Sequence, residues 1–187
     1  MSAVDDLAAR VARLEDRAEI RELVARYGFV VDDRDIDGLG ELFTPDGCFR
    51  SRDGVIDAHG REAVIETFHG RYAALGLSLH VTHDHVVRFD EDDPDRAGGL
   101  LCSHAEVHRN GRTMVAALRY EDRYRRHEGR WRFADRLLSF MYYVPVEEYA
   151  EALGSLDRMR AYDSPRPADF PEQSASWQDY ARRFSRR

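Results

Sequence analysis

The chain has 187 residues, 43% of them apolar and 34% charged, with 28 basic against 35 acidic side chains for a net charge of -7. That length and mix describe one soluble globular domain with room for a core, not a disordered segment. The acidic balance argues against nucleic acid as a partner, because phosphates call for a basic surface. The arginine groups Arg123, Arg125, Arg126 and Arg182, Arg183, Arg186, Arg187 are interrupted by acids or confined to the tail, and read as solvated faces. No run approaches the roughly 18 apolar residues of a membrane span, so no membrane partner is expected. Residues 1–30 are charged throughout and do not resemble a signal peptide. Cys48 and Cys102 share no metal-ligand spacing, and a reduced cytoplasmic setting with both thiols free is expected.

In chain order, residues 4–31 read as a helix. Leu7, Val11, Leu14 and Ala18 recur at spacings of three and four, and Ile20, Leu23, Val24 and Tyr27 continue on a shifted stripe that suggests a break near Glu15-Asp16. The Asp-rich stretch Asp32 to Asp37 ends it, and Asp37 can cap a short helix carrying Leu39, Leu42 and Phe43. Pro45-Asp46-Gly47 is a turn, and Asp53-Gly54 joins strands Cys48–Arg52 and Val55–Ala58. Gly60 opens a helix to about Leu75. Three longer strands follow, Leu79–Phe89, Leu100–Arg109 and Thr113–Arg126, the last two joined by Asn110-Gly111. Glu128-Gly129 leads into a final strand, Arg130–Tyr143. Val146–Met159 reads as a helix, and the remaining tail has anchors at Phe170, Trp177, Tyr180 and Phe184.

Helices, a hairpin, a helix and a long meander are the order of an α+β domain. The expected fold is a strongly curved mixed or antiparallel sheet wrapped on N-terminal helices, a cone-shaped α+β barrel with a central pocket that is the natural ligand site. Residues 1–145 form that domain, and 146–187 a C-terminal helix and tail packed on it or on a neighbouring subunit.

The chemistry-bearing residues are Tyr27, Asp32, His80, His104 and Arg136. An imidazole removes protons at neutral pH, a carboxylate fixes its tautomer, and a phenol or guanidinium holds developing negative charge. Each has a plainer reading. Asp32 can be a turn carboxylate, Tyr27 a core tyrosine, and Arg136 a surface partner of Asp135 or Glu121. His104 shares a face with Leu100 and Cys102, as a pocket wall or an ordinary core would. Strand alternation sets His80, Thr82 and Asp84 against the more apolar Leu79, Val81, His83, His85, Val87 and Phe89. His80 therefore faces a pocket only through a local irregularity, with His83 or His85 as substitutes. Tyr27 and Asp32 are roughly 140° apart on an ideal helix and converge only if it unwinds. A metal held by His80, His83, His85 and Asp84, or by His104, Glu106 and His108, is the competing chemistry, but His80 does not share a face with the other two histidines.

The run Glu19-Ile20-Arg21-Glu22-Leu23 through Tyr27 and Asp32, then Leu42-Phe43-Thr44-Pro45-Asp46-Gly47, resembles the start of SnoaL-like domains of the nuclear transport factor 2-like superfamily. Gly60-Arg61-Glu62-Ala63-Val64-Ile65 resembles that family's third helix, and Gly129-Arg130-Trp131-Arg132-Phe133 its last hairpin. The likeness covers about residues 10–145. Its nearest branch contains scytalone dehydratase, bile acid 7α-dehydratase and hexachlorocyclohexane dehydrochlorinase, which use an Asp–His pair at the places of Asp32 and His80. Tyr27 and Arg136 match a helical tyrosine and a last-strand arginine, and His104 lies near a polar residue of the dehydratases.

The resemblance implies a cofactor-independent lyase of the dehydratase type, acting on a small apolar cyclic or polyketide-like molecule, with an isomerase or cyclase as a variant. A non-catalytic hydrophobic-ligand-binding domain is the alternative. His80 would be the base, oriented by Asp32, with Tyr27 or Arg136 holding the oxyanion or leaving group and His104 assisting. Phe29, Phe68, Tyr120, Leu138 and Phe140 are candidates for the apolar wall. A homotrimer or homodimer is expected, with Trp131, Phe133 and Met141 on an apolar outer sheet face.

Overall fold

A computed structural model describes residues 2–184; Arg186 and Arg187 of the tail arginine group lie outside the described residues. Helix α1 (Ala3–Asp32) begins at a reciprocal cap. The Asp5 amide donates to the Ser2 hydroxyl at 3.1 Å, and the Ser2 amide to the Asp5 carboxylate at 2.8 Å. The helix is continuous, with no break at Glu15-Asp16. The shift in its stripe marks instead where it enters the core: Leu7, Val11 and Leu14 are exposed, whereas Ile20, Leu23, Val24 and Tyr27 are buried. Helix α2 (Ile36–Leu42) is capped by Asp35, not Asp37, through a 2.9 Å bond from the Gly38 amide.

Strands β1 (Phe43–Ser51) and β2 (Asp57–His59), helix α3 (Arg61–Ala74), and strands β3 (Leu75–Phe89), β4 (Arg96–Arg109), β5 (Arg112–His127) and β6 (Arg130–Pro145) complete the domain. The six strands lie in the order β2-β1-β6-β5-β4-β3. The β1–β6 pairing is parallel and all others are antiparallel. The fold is the expected α+β one, with a mixed, open sheet curved over α1 and α3. An aromatic core of Tyr27, Phe43, Phe49, Phe68, Tyr120, Tyr124 and Phe133 fills the concave side.

Irregularities in this sheet decide which side chains reach that core. On β6 the register shifts opposite Arg123/Tyr124, so Ala134 is an extra residue. Before it Trp131 and Phe133 face inward; after it Arg136, Leu138 and Phe140 do. Trp131 and Phe133, expected on an outer apolar face, are therefore 3% and 0% exposed, and Met141 is only half-buried. The outer face is apolar elsewhere, at Leu77, Leu79, Val81 and Leu100.

The expected helix over Val146–Met159 is reduced to a 3₁₀ turn (Val146–Glu148) and α4 (Tyr149–Ala152). Beyond it the chain pairs with the end of β6: the Tyr143 amide donates to the Arg158 carbonyl, and the Arg160 amide to the Tyr143 carbonyl, both at 2.8 Å. The buried Arg158 guanidinium donates to Glu172 at 2.6 Å and to the carbonyls of Met141, Ser155 and Phe170. These tertiary bonds satisfy backbone and charge in a way a local helix does not. Phe170 is buried as expected of an anchor, but Trp177, Tyr180 and Phe184 on α5 (Ala175–Phe184) are exposed. No described helix is long and apolar enough to cross a membrane.

Candidate active site

The end of α1 is tied to the start of β3. Arg34, held in the left-handed region at φ 58°, reverses the chain and donates to the carbonyls of Leu75 at 2.7 Å and Gly76 at 3.0 Å. The two elements pass so closely that a Cβ at Gly28 would lie 3.4 Å from the His80 carbonyl oxygen. This junction brings Asp32, the last residue of the helix, onto His80.

Asp32 accepts three hydrogen bonds there. The His80 ring Nδ1 donates to Oδ1 at 2.6 Å, the His80 amide to Oδ2 at 2.7 Å, and the Ser78 hydroxyl to Oδ1 at 2.8 Å. Burial acts to raise the Asp32 pKa, but the bonds from the His80 ring and amide and from Ser78 outweigh it and hold the carboxyl below its ordinary value. With an ionised acceptor on Nδ1, the neutral imidazole carries its proton on that nitrogen and its lone pair on Nε2. Asp32 and His80 side chains are 16% and 12% exposed, so both are sheltered yet reachable.

His80 faces the core through local irregularity, as its alternation requires: β3 shifts register against β4 between Leu75 and Ser78 and again between Thr82 and His85. Ser78, His80 and Thr82 are half-buried on the inner side, while Leu77, Leu79, Val81 and His83 are exposed outside. The second shift puts His85 and Val87 on the inner side as well, out of phase with Leu79 and Val81. The simple rule that the apolar face points inward fails on the first half of β3.

His80 lines a small cavity of about 20 Å³, shared with Tyr27, Phe68, Arg71, Tyr120, Leu138, Phe140 and further, mostly apolar, residues. That space holds about one water molecule. Tyr27 reaches it although α1 does not unwind, because the helix presents Tyr27 to the cavity on one face and Asp32 to β3 on another. Burial pushes the Tyr27 phenol well above its usual pKa, so it stays a proton donor.

Arg136 lies beneath this cavity, fully buried, its guanidinium carbon 4.0 Å from the Tyr27 ring centre, 3.9 Å from Tyr120 and 4.4 Å from Phe133. Its acidic neighbour is Asp122, with Nε and Oδ1 3.7 Å apart, and none of its three guanidinium nitrogens has a hydrogen-bond partner among the described residues. The surface acids proposed for it are taken: Asp135 pairs with Arg50 and Glu121 with Arg52. Asp122 belongs to a buried chain. The Tyr124 hydroxyl donates to Asp122 Oδ2 at 2.9 Å and lies 3.0 Å from His85 Nε2. A Cβ at Gly99 would collide with that hydroxyl, so glycine there makes room for the chain. Burial raises the Asp122 pKa to about 6, against the opposing pull of Arg136 and Tyr124. Burial also lowers that of His85 to about 4.

Two expected site residues are elsewhere. Strand β4 turns Leu101, Ser103, Ala105 and Val107 inward, which puts His104 outside, 2.8 Å from the His83 ring. Phe29, two residues beyond Tyr27 and so roughly 200° around the helix, is 72% exposed. Among the described residues no three His, Cys, Asp or Glu side chains converge as a metal site requires. Ser78, Asp122, Tyr124 and the cavity-lining Arg71 were absent from the sequence reading. The alternation of Tyr120, Asp122 and Tyr124 was the available signal for the buried chain, and the two-residue spacing from His80 for Ser78.

The model of the SnoaL-like domain matches residues 12–137. The uncharacterized protein Rv2910c of Mycobacterium tuberculosis is 30% identical over 131 residues, 68% of this chain and 86% of that protein. An NTF2-like protein with a cystatin-like fold from Novosphingobium aromaticivorans is 32% identical, with a TM-score of 0.60 over 75% of this chain and 92% of that one. LinA type 2, a hexachlorocyclohexane dehydrochlorinase, shares the fold at 19% identity and a TM-score of 0.68, over 73% of this chain and 93% of that one. The chain belongs to the SnoaL-like domain family, within the NTF2-like superfamily.

Proposed function

We propose that the protein is a cofactor-independent lyase that eliminates a leaving group from a small apolar cyclic or polyketide-like molecule. The observation that carries this reading is the Asp32–His80 pair, 2.6 Å apart, on the wall of an apolar cavity. His80 Nε2 takes a proton from a carbon next to a carbonyl or other activating group. Asp32, ionised and hydrogen-bonded to Nδ1, stabilises the imidazolium that results. The electron pair of the broken C–H bond forms the new double bond, and the group on the neighbouring carbon departs with its electrons. The Tyr27 phenol supplies a proton to that departing group or to the carbonyl oxygen. The Arg136 cation, stacked under Tyr27 and Tyr120, favours negative charge above it. An isomerase or cyclase would use the same base and return the proton to another atom. Names among the fold neighbours, a dehydrochlorinase and scytalone dehydratase-like proteins, support elimination as the first chemistry to test.

A second reading has its own support. A cavity of about 20 Å³ is far smaller than the roughly 300–1,000 Å³ of ligand pockets, so the aromatic side chains that plug it suit a binding or assembly domain. A substrate must displace them. Turnover of halogenated cyclohexanes and cyclic β-hydroxyketones by the wild type, His80→Ala and Asp32→Asn decides between the two. Loss in both variants, with their thermal melts held, supports the dyad; undiminished activity in both ends it, and a wild type that binds such compounds without converting them favours the second reading.

A further inference from the structure

A concavity far larger than the one at the dyad lies on the opposite, outer face of the sheet. It is a groove of about 700 Å³ whose lining includes Arg50, Arg88, Arg96, Arg123 and Arg125 against the acids Asp90 and Asp135. In a chain of net charge -7 this is a local reversal of sign. Three of these arginines are neutralised: Arg50 by Asp135, Arg96 by Asp93 and Arg125 by Asp46. Arg88 and Arg123 are exposed and, among the described residues, make no ion pair and no side-chain hydrogen bond.

Strand register sets these two cations at one spot. Arg88 is paired with Gly98, and Gly98 with Arg123, so the three form a row across β3, β4 and β5. Two strand spacings separate the arginine backbones by about 10 Å. Guanidinium groups on their long stems can close over the glycine between them. A Cβ at Gly98 would meet only the Asp122 carbonyl oxygen, at 3.8 Å, so the space above the glycine is open. Arg88 and Arg123 thus flank an unfilled notch, while every other arginine of the groove has an acid beside it.

We propose that the Arg88–Gly98–Arg123 row binds a phosphoryl group, as a phosphate monoester or a pyrophosphate. One dianionic tetrahedral centre matches two converging guanidinium forks, each giving paired N–H donors to its oxygens. A monocarboxylate balances only one of the two cations. The site is independent of the Asp32–His80 chemistry, being on the other side of the sheet.

The test is titration calorimetry with inorganic pyrophosphate and inorganic phosphate at low salt, on wild type, Arg88→Ala/Arg123→Ala, Gly98→Asp and His80→Ala. The expected result is saturable binding of pyrophosphate by the wild type and His80→Ala. Affinity should weaken as sodium chloride is added and fall at least tenfold in the arginine double variant and in Gly98→Asp. All three substituted positions of these two variants are solvent-facing or open, and an unchanged circular dichroism spectrum checks their fold. Absence of saturable binding by the wild type, or equal binding by the double variant, overturns the proposal. So does a double variant that sediments at a different size yet binds pyrophosphate as before, because the row would then serve contact between copies of the chain.

Discussion

Asp32 and Asp122 are both carboxylates beside a group that can be positive, yet their surroundings push them in opposite directions. Asp32 is at the end of a helix, partly reachable by solvent, and receives three hydrogen bonds, which hold its pKa down. Asp122 lies under the sheet with a single donor, Tyr124, and a cation that approaches only to 3.7 Å; burial wins, and its pKa rises to about 6. Proximity of opposite charge is thus not what separates them. The count of hydrogen bonds against the loss of water does. The first carboxylate is built to stay ionised and orient a base. The second holds a guanidinium in a core of aromatic rings.

If that contrast is right, variants at the two sites should fail in different ways. His80→Ala or Asp32→Asn should lower turnover by about 10²–10⁴-fold, the usual worth of a positioned proton-transfer group, with little change in thermal melting. Asp122→Ala should do the reverse. It leaves the fully buried Arg136 with only ring faces around it, and removing one partner of a buried pair costs about 3–5 kcal/mol. Urea unfolding measures this, and a loss below about 1 kcal/mol would show that Tyr27, Tyr120 and Phe133 are enough to hold the cation.

The pH dependence separates the two carboxylates further. Asp122 binds its proton more tightly folded than unfolded, with a folded pKa of about 6 against 3.8. Its contribution therefore weakens the fold as pH rises from about 4 to about 6, by on the order of 3 kcal/mol in all. Asp32 has the opposite sign: its lowered pKa adds stability at neutral pH that is lost on acidification below about 4. The difference in unfolding free energy between wild type and Asp122→Asn, followed from pH 4 to 7, should slope against the wild type as pH rises. A flat difference would mean that Arg136 keeps Asp122 ionised throughout.

Much of this was legible in the sequence. Hairpin signals at Asn110-Gly111 and Glu128-Gly129 placed the meander, and the resemblance to SnoaL-like domains placed Asp32 and His80 together at the ends of the first helix and the third strand. What could not be read was orientation. Regular alternation groups Leu79 and Val81 with the buried Val87 and turns His80 outward, but the register shift between Thr82 and His85 separates them and leaves Leu79 and Val81 on an outer face that is itself apolar. Arg136 reaches the core only because Ala134 adds one residue to β6 and reverses the pattern after Phe133. A one-residue register change of this kind leaves no mark in composition. The tail misled for another reason. Val146, Tyr149, Leu153 and Leu156 have helical spacing, but all four are exposed, and pairing of Met159 with Tyr143 and Arg166 fixes the chain that follows.

The smallest expected effect belongs to the residue that shared the sequence argument for the cavity wall but not its location. Phe29 is exposed on the far side of α1 from Tyr27, so Phe29→Ser removes little buried area within the chain. Melting should move by less than about 0.5 kcal/mol in stability terms, and turnover should not change. Tyr27, buried among Phe49, Phe68, Tyr120 and Phe133, has no such freedom. A Phe29→Ser variant that loses stability in proportion to protein dilution would place that side of α1 against another copy of the chain, since only a concentration-dependent contact can make an exposed phenylalanine matter in this way.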